Sequence, residues 1–427
     1  MTSTTATDRA PGARDPADAA PSPDRARWRY VGPGIVAAAT GVGVGDLGAT
    51  LLAGSRFGYA LLWAIVVGTL VKISLAEAVG RWHLASGTTI FAGWRTMGRW
   101  TGVYFGIYAI VWGFVFGATA MSTTALPLRA LFGGPLEPWA IGAGLVGFAF
   151  VWFNRYAVFE RMMTALVGVM FVSVVGAALL VGPDLAGLAG GLVPRLPEGS
   201  VLYTLGLVGG VGGTITMAAY GYWVNAKGWR TPAWISVMRL DNRVGYLLTA
   251  IFVVAMLVLG AELVYVTQTE IAAGGAGLLE LSDELEARLG RVGAIVFLVG
   301  FAATSFSSLL GVWHGVSLLF ADFVASVRPD TRPADGDAER SLPFRAYLAW
   351  LTFPPMALVF AGEPAALILA YTVLGAFFMP FLAGTLLWLL NRRRVPPEWR
   401  SGWVSNGMLV VAVALFTVLT LTELFGL

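Results

Sequence analysis

The chain has 427 residues, of which 57% are hydrophobic and 12% charged, with a formal net charge of +3 and no cysteine. That composition excludes a soluble globular domain, and the lack of cysteine excludes disulfides, thiolate metal sites and cysteine nucleophiles. Repeated apolar runs of about 20 residues describe instead an all-α protein that crosses a membrane many times.

Along the chain, the first 30 or so residues are rich in Pro, Ala, Asp and Arg and lack the apolar stretch of a signal peptide, so 1–30 reads as a disordered tail. Apolar spans are then predicted near 32–56, 60–82, 101–127, 138–154, 162–182, 201–226, 243–267, 292–320, 345–361, 365–391 and 403–424. These eleven form one membrane domain, 31–427. If the tail is cytoplasmic, 22 of the 28 basic residues fall on inner segments, five on outer ones, and Lys72 within span 2. The amino terminus is therefore expected inside the plasma membrane and the carboxyl terminus outside. The positive charge reflects this bias and requires no nucleic-acid partner; the lipid bilayer is the partner implied. The mostly acidic stretch from Glu262 to Glu286 is expected as an outer, solvated loop with a short surface helix.

Two spans are interrupted by glycine. Gly41-Val-Gly-Val-Gly-Asp46 lies in span 1 and Gly209-Gly-Val-Gly-Gly213 in span 6, with Gly41, Gly45, Gly209, Gly210 and Gly212 as the break residues. Breaks at corresponding positions of two halves free backbone carbonyls and half-helix ends to hold a substrate near mid-membrane. The same spacing also suits close packing of unbroken helices. Asp46 adds a carboxylate to the first break, which favours a cation.

Other polar residues within the spans have two readings each. Glu77 and Arg81 are spaced for an ion pair, which leaves Lys72 buried with partners elsewhere or a coupling role. His314 reads as a packed histidine or a pH-sensing contact, and Ser305 as helix glue or a cavity hydroxyl. Tyr220, Tyr222 and Trp223 follow the second break as packing aromatics or a gate. No phosphate-binding loop or catalytic constellation is present, so an enzyme and an ATP-driven pump are not expected.

Gly32-Pro33-Gly34, then Ala53-Gly54-Ser55-Arg56-Phe57-Gly58-Tyr59 and Leu61-Leu62-Trp63, resemble the first helix and following turn of the NRAMP divalent-metal transporters. Phe159-Glu160, Ala302-Ala303 with Ser307, Gly311 and Gly315, and Pro380-Phe381 extend the resemblance over roughly residues 30 to 425. The resemblance implies the leucine-transporter-like fold: inverted five-helix repeats near 32–182 and 201–391, with helices 1 and 6 broken, plus an extra helix near 403–424.

Carried over residue by residue, the family's Asp-Pro-Gly-Asn signature falls on Gly43-Val44-Gly45-Asp46. Its helix-6 carbonyl ligand and methionine fall on Gly213 and Thr216, and its following Pro-His-Asn on Met217-Ala218-Ala219. Losing the thioether while keeping carboxylate, hydroxyl and carbonyls favours harder ions such as Mn²⁺ or Mg²⁺. The family's helix-3 acids fall on Ile110, Gly117 and Ala120, and its helix-10 glutamine on Phe378, so the usual proton route is missing. The reading is an alternating-access transporter, with a monomer as the expected state. It binds a divalent cation through Asp46, Gly43, Gly213, Thr216 and Ser305, has no cofactor beyond the metal it carries, and works without proton coupling. A carrier of a small organic cation or amino acid, and a non-transporting membrane sensor, stand beside it.

Overall fold

The computed structural model describes residues 30–210, 212–266, 275–331, 338–361 and 364–425. The predicted tail, apart from Tyr30, lies outside them, as do the side chains of 44–49, Asp46 among them. Every regular element among the described residues is a helix. Span 1 is two helices, α1 (Pro33–Gly41) and α2 (Val44–Phe57), joined through Val42 and Gly43. α3 (Leu62–Ser86), α4 (Arg99–Phe132), α5 (Leu136–Phe153) and α6 (Tyr156–Met170) follow, with α6 continuing through a π turn at Phe171–Val175. Span 6 is again double: α7 (Val201–Gly210) and α8 (Thr216–Ala226). α9 (Ile235–Gly260) ends in a second π turn, Ala261–Tyr265, and α10 (Gly275–Val327) bends at Gly290. α11 (Leu342–Thr352), α12 (Pro364–Leu389) and α13 (Trp403–Phe425) complete the bundle.

Seven described helical stretches are long and apolar enough to cross a membrane, fewer than the eleven predicted spans. Spans 1 and 6 are each cut in two, and span 9 stops at Thr352 and restarts at Met356 across Pro354-Pro355. Span 10 is one helix, Pro364–Leu389, in which the described side chains give the shorter apolar stretch Phe377–Leu389. α9 begins at Ile235, eight residues before the predicted start at 243, because its first turns bury Met238, Asp241 and Asn242 against other helices. Glu262 corrects another expectation: it lies in the last turn of that span, 8% exposed, rather than in a solvated loop.

The apolar residues divide between two environments. Trp82, Trp94, Trp112, Trp223, Trp229 and Trp313 are fully buried, whereas Val103, Ile107, Leu179, Leu180 and Val292 stand outward. An apolar exterior over a packed interior suits a bundle solvated by lipid tails, where close van der Waals contact holds helices together. Both halves of span 1 lie backbone to backbone on α9. A methyl on Gly245 would sit 2.2 Å from the Gly34 carbonyl oxygen, and one on Gly54 would sit 2.5 Å from that of Leu257. α9 thus fixes α1 and α2 relative to each other, and with them the gap between their ends.

Candidate cation site at the two helix breaks

The two interruptions touch. A methyl on Gly41, the last residue of α1, would lie 2.5 Å from the Gly212 carbonyl carbon, and one on Gly213 would lie 3.2 Å from the Gly41 Cα. α1 ends because Gly43 turns extended, at φ −103, before α2 restarts at Val44. α7 ends at Gly210, and Gly212 and Gly213 take φ of 85 and 89, a region open to glycine and strained for other residues. Gly45, Gly209 and Gly210 therefore lie on helical turns beside the breaks rather than in them. What bends the chain is the left-handed pair Gly212-Gly213, the only glycines with positive φ near the breaks among the described residues.

Helix ends give this junction its electrostatics. α1 and α7 finish here while α2 and α8 start here, so carbonyls without intrahelical partners, at the negative ends of the first pair, meet the N–H groups that open the second. Those carbonyls are held by side chains from three other helices. Ser307 and Ser308 on α10 donate to the Ala39 and Thr40 oxygens at 3.0 and 3.1 Å. Tyr246 on α9 donates to the Gly212 oxygen at 3.3 Å, and the Lys72 ammonium on α3 donates to that of Gly213. A carbonyl oxygen has two lone pairs, so a neutral hydroxyl donor does not by itself exhaust it.

The predicted residues are distributed as follows. Gly213 and Thr216 lie together, the Thr216 hydroxyl 2.8 Å from where a Gly213 methyl would be, and Gly43 lies against α10, with Ser308 Oγ 2.9 Å from where its methyl would be. Asp46 is the third residue of α2, one turn from Gly43, and its side chain lies outside the described residues. Ser305 is buried and donates to Phe301 of its own helix at 3.0 Å, so nothing in its bonding turns it toward the breaks. Among the described residues, no three His, Asp or Glu side chains cluster as metal ligands. A cation here would rely on carbonyls, a hydroxyl and whatever carboxylate reaches it.

The other singled-out residues tie the ends of the bundle. Glu77 holds Arg81 at 3.1 Å with one oxygen and Arg239 at 2.9 Å with the other, in one structural cluster. His314 accepts from Trp223 at 3.1 Å through Nδ1, and its Nε2 meets Glu339 at 3.0 Å. Lys227 pairs with Glu160. At the same end is a residue that the sequence reading passed over. Asp241 of α9, 0% exposed, accepts from the Gly32 and Gly34 N–H groups at 2.8 and 2.7 Å and from the Tyr220 hydroxyl at 2.8 Å. It caps α1 from another helix, where a carboxylate complements the helix's positive end. At the opposite end Tyr59 donates to Glu262 at 2.7 Å, and Arg288 donates to the Glu262 and Val181 carbonyls at 3.1 and 3.3 Å. Burial, reinforced by that hydrogen bond, pushes the Tyr59 hydroxyl well above the ordinary phenol value.

α4, the helix on which the family resemblance places proton-carrying carboxylates, presents aromatic rings instead. Tyr104, Tyr108, Trp112 and Phe116 stack in sequence, and Tyr108 lies 5.2 Å from Phe378 of α12 in a stacked arrangement. Tyr104 donates to the Phe377 carbonyl at 2.7 Å.

Residues 34–426 match the family model described as natural resistance-associated macrophage protein-like. A divalent metal cation transporter MntH of Chromohalobacter salexigens is 25% identical over 444 residues, covering 97% of this chain and 95% of its own. Among solved structures, an Eremococcus coleocola manganese transporter has a TM-score of 0.77 at 15% identity, over 95% of this chain and 89% of that one. Mhp1, a nucleobase-cation-symport-1 family transporter, has a TM-score of 0.57 at 15% identity, over 92% of each chain.

Proposed function

Because the chain belongs to the natural resistance-associated macrophage protein-like family, we propose that it carries divalent metal cations across the membrane by alternating access. The cation sits where the two breaks meet, held by the Gly43 and Gly213 carbonyls, the Thr216 hydroxyl and Asp46, with retained waters completing its shell. Oxygen donors of this kind favour hard ions such as Mn²⁺ and Mg²⁺. The observation that carries the reading is the contact between Gly41 and Gly212-Gly213, which brings two carbonyl-rich helix ends together inside a buried bundle. The relatives that transport divalent metals support the same substrate class.

Proton coupling by way of α4 is absent in this reading, supported by the aromatic ladder that fills that helix. The first membrane repeat covers about 32–182 and the second about 201–391, in the plasma membrane, with the Asp241 end of α1 on the cytoplasmic side. Uptake of Mn²⁺, Mg²⁺ and Ca²⁺ into proteoliposomes containing a pH dye tests it. Saturable metal flux without acidification, lost in Asp46→Ala, is expected. Flux of no metal by the intact protein would turn the search to organic cations and amino acids.

A further inference from the structure

The site described above already contains a positive charge of the protein's own. Lys72 is in the middle of α3, 0% exposed, and its ammonium donates to the Gly213 carbonyl. That oxygen belongs to the left-handed bend where α7 ends, so the amine sits at the negative end of a helix dipole. The ring of Phe416 on α13 lies 5.3 Å from the amine, within reach of a cation–π contact. Most lysines near a membrane extend toward its surface and leave their charge in water. Lys72 instead delivers its charge to the junction between the broken helices.

We propose that the Lys72 ammonium is a tethered counter-cation of the transport site: it occupies the Gly213 carbonyl when no metal is bound, and the incoming ion must displace it. This rests on the reading of the breaks as a divalent-cation site. A divalent ion and an ammonium cannot share one carbonyl in a buried site without strong repulsion. Lysine's flexible four-carbon stem lets the amine withdraw, and the Phe416 face offers it a place to rest. Two consequences follow for selectivity and release. A monovalent ion brings no more charge than the amine it would replace, so the lysine discriminates in favour of divalent ions. Return of the amine to Gly213 helps expel the metal, a task that a coupling ion would otherwise perform.

The test is Mn²⁺ binding to the purified full-length protein by titration calorimetry, comparing Lys72→Gln, Lys72→Met and Lys72→Arg with the intact chain. Glutamine removes the charge while keeping an N–H donor on a side chain one bond shorter, and methionine removes charge and donor together. The Gln and Met variants are expected to bind Mn²⁺ about tenfold or more tightly, and Arg to stay within about threefold of the intact protein. Added K⁺ is expected to compete with Mn²⁺ in Gln and Met but not in the intact chain. Unchanged or weaker Mn²⁺ binding by a monodisperse Lys72→Gln overturns the proposal while leaving the metal site standing. Tightening by Lys72→Arg as large as by Lys72→Gln overturns it too, since charge would then not be the cause. Absence of Mn²⁺ binding in the intact protein and in every variant overturns the divalent-cation reading and this proposal with it.

Discussion

Asp241 shows how much one carboxylate can organise. Its three donors come from the start of α1 and from α8, so a single side chain on α9 pins both broken spans at one end. Removing it strands two buried backbone N–H groups. Asp241→Ala is therefore expected to destabilise the protein by at least about 2 kcal/mol, seen as a lower Tm for the detergent-solubilised protein; an unchanged Tm would mean that water or another side chain replaces the cap. Tyr220→Phe removes one donor and should cost less, about 1 kcal/mol. Gly213 is decisive for a different reason. Its φ of 89 suits glycine, and a methyl there would lie 2.8 Å from Thr216 Oγ1. Gly213→Ala is expected to cost about 1–3 kcal/mol and to abolish metal uptake, whereas Gly209→Ala, on a regular helical turn, should retain uptake. Equal loss in both variants would remove the distinction between bend and helix.

At the level of elements, the broken helices were legible because an α-helix cannot absorb consecutive glycines with positive φ, and glycine runs are visible in any sequence. Their boundaries were less so. Gly45, Gly209 and Gly210 look the same in the sequence as Gly212 and Gly213, and only the backbone conformation separates them. The ends of the bundle were harder still. Asp241 and Gly32 are 209 positions apart, and Glu262 and Tyr59 203 apart, so no local pattern announces either tie. Glu262 was read as solvated because acidic residues follow it. What buries it is a π turn that carries the helix on to Tyr265, with Tyr59 and Arg288 closing over it. The raised Tyr59 value has a definite sign. The neutral phenol is the form that donates, so the tie is complete below the ordinary phenol range and weakens only as strong alkali removes the proton. Transport is accordingly expected to show no step from this contact between about pH 6 and 9, and Tyr59→Phe should leave the pH profile in that window unchanged in shape. A step that disappears in Tyr59→Phe would contradict it.

For the whole molecule, both ends of the bundle are tied by polar clusters while the breaks are held shut by hydroxyls and an amine. Membrane class followed from composition and the two broken spans from glycine runs, while the fold was what the family resemblance implied. The residues that hold the arrangement together followed from none of these, because they act across hundreds of positions. The carbonyl of Gly213 has one further implication. A side-chain ligand can be erased by a single codon change, whereas a main-chain oxygen is present in every descendant that keeps the bend. In the proposed site, variation could therefore retune Asp46, Lys72 or Thr216 around a fixed backbone oxygen, so that preference for one ion over another would drift through a lineage without loss of the capacity to bind cations.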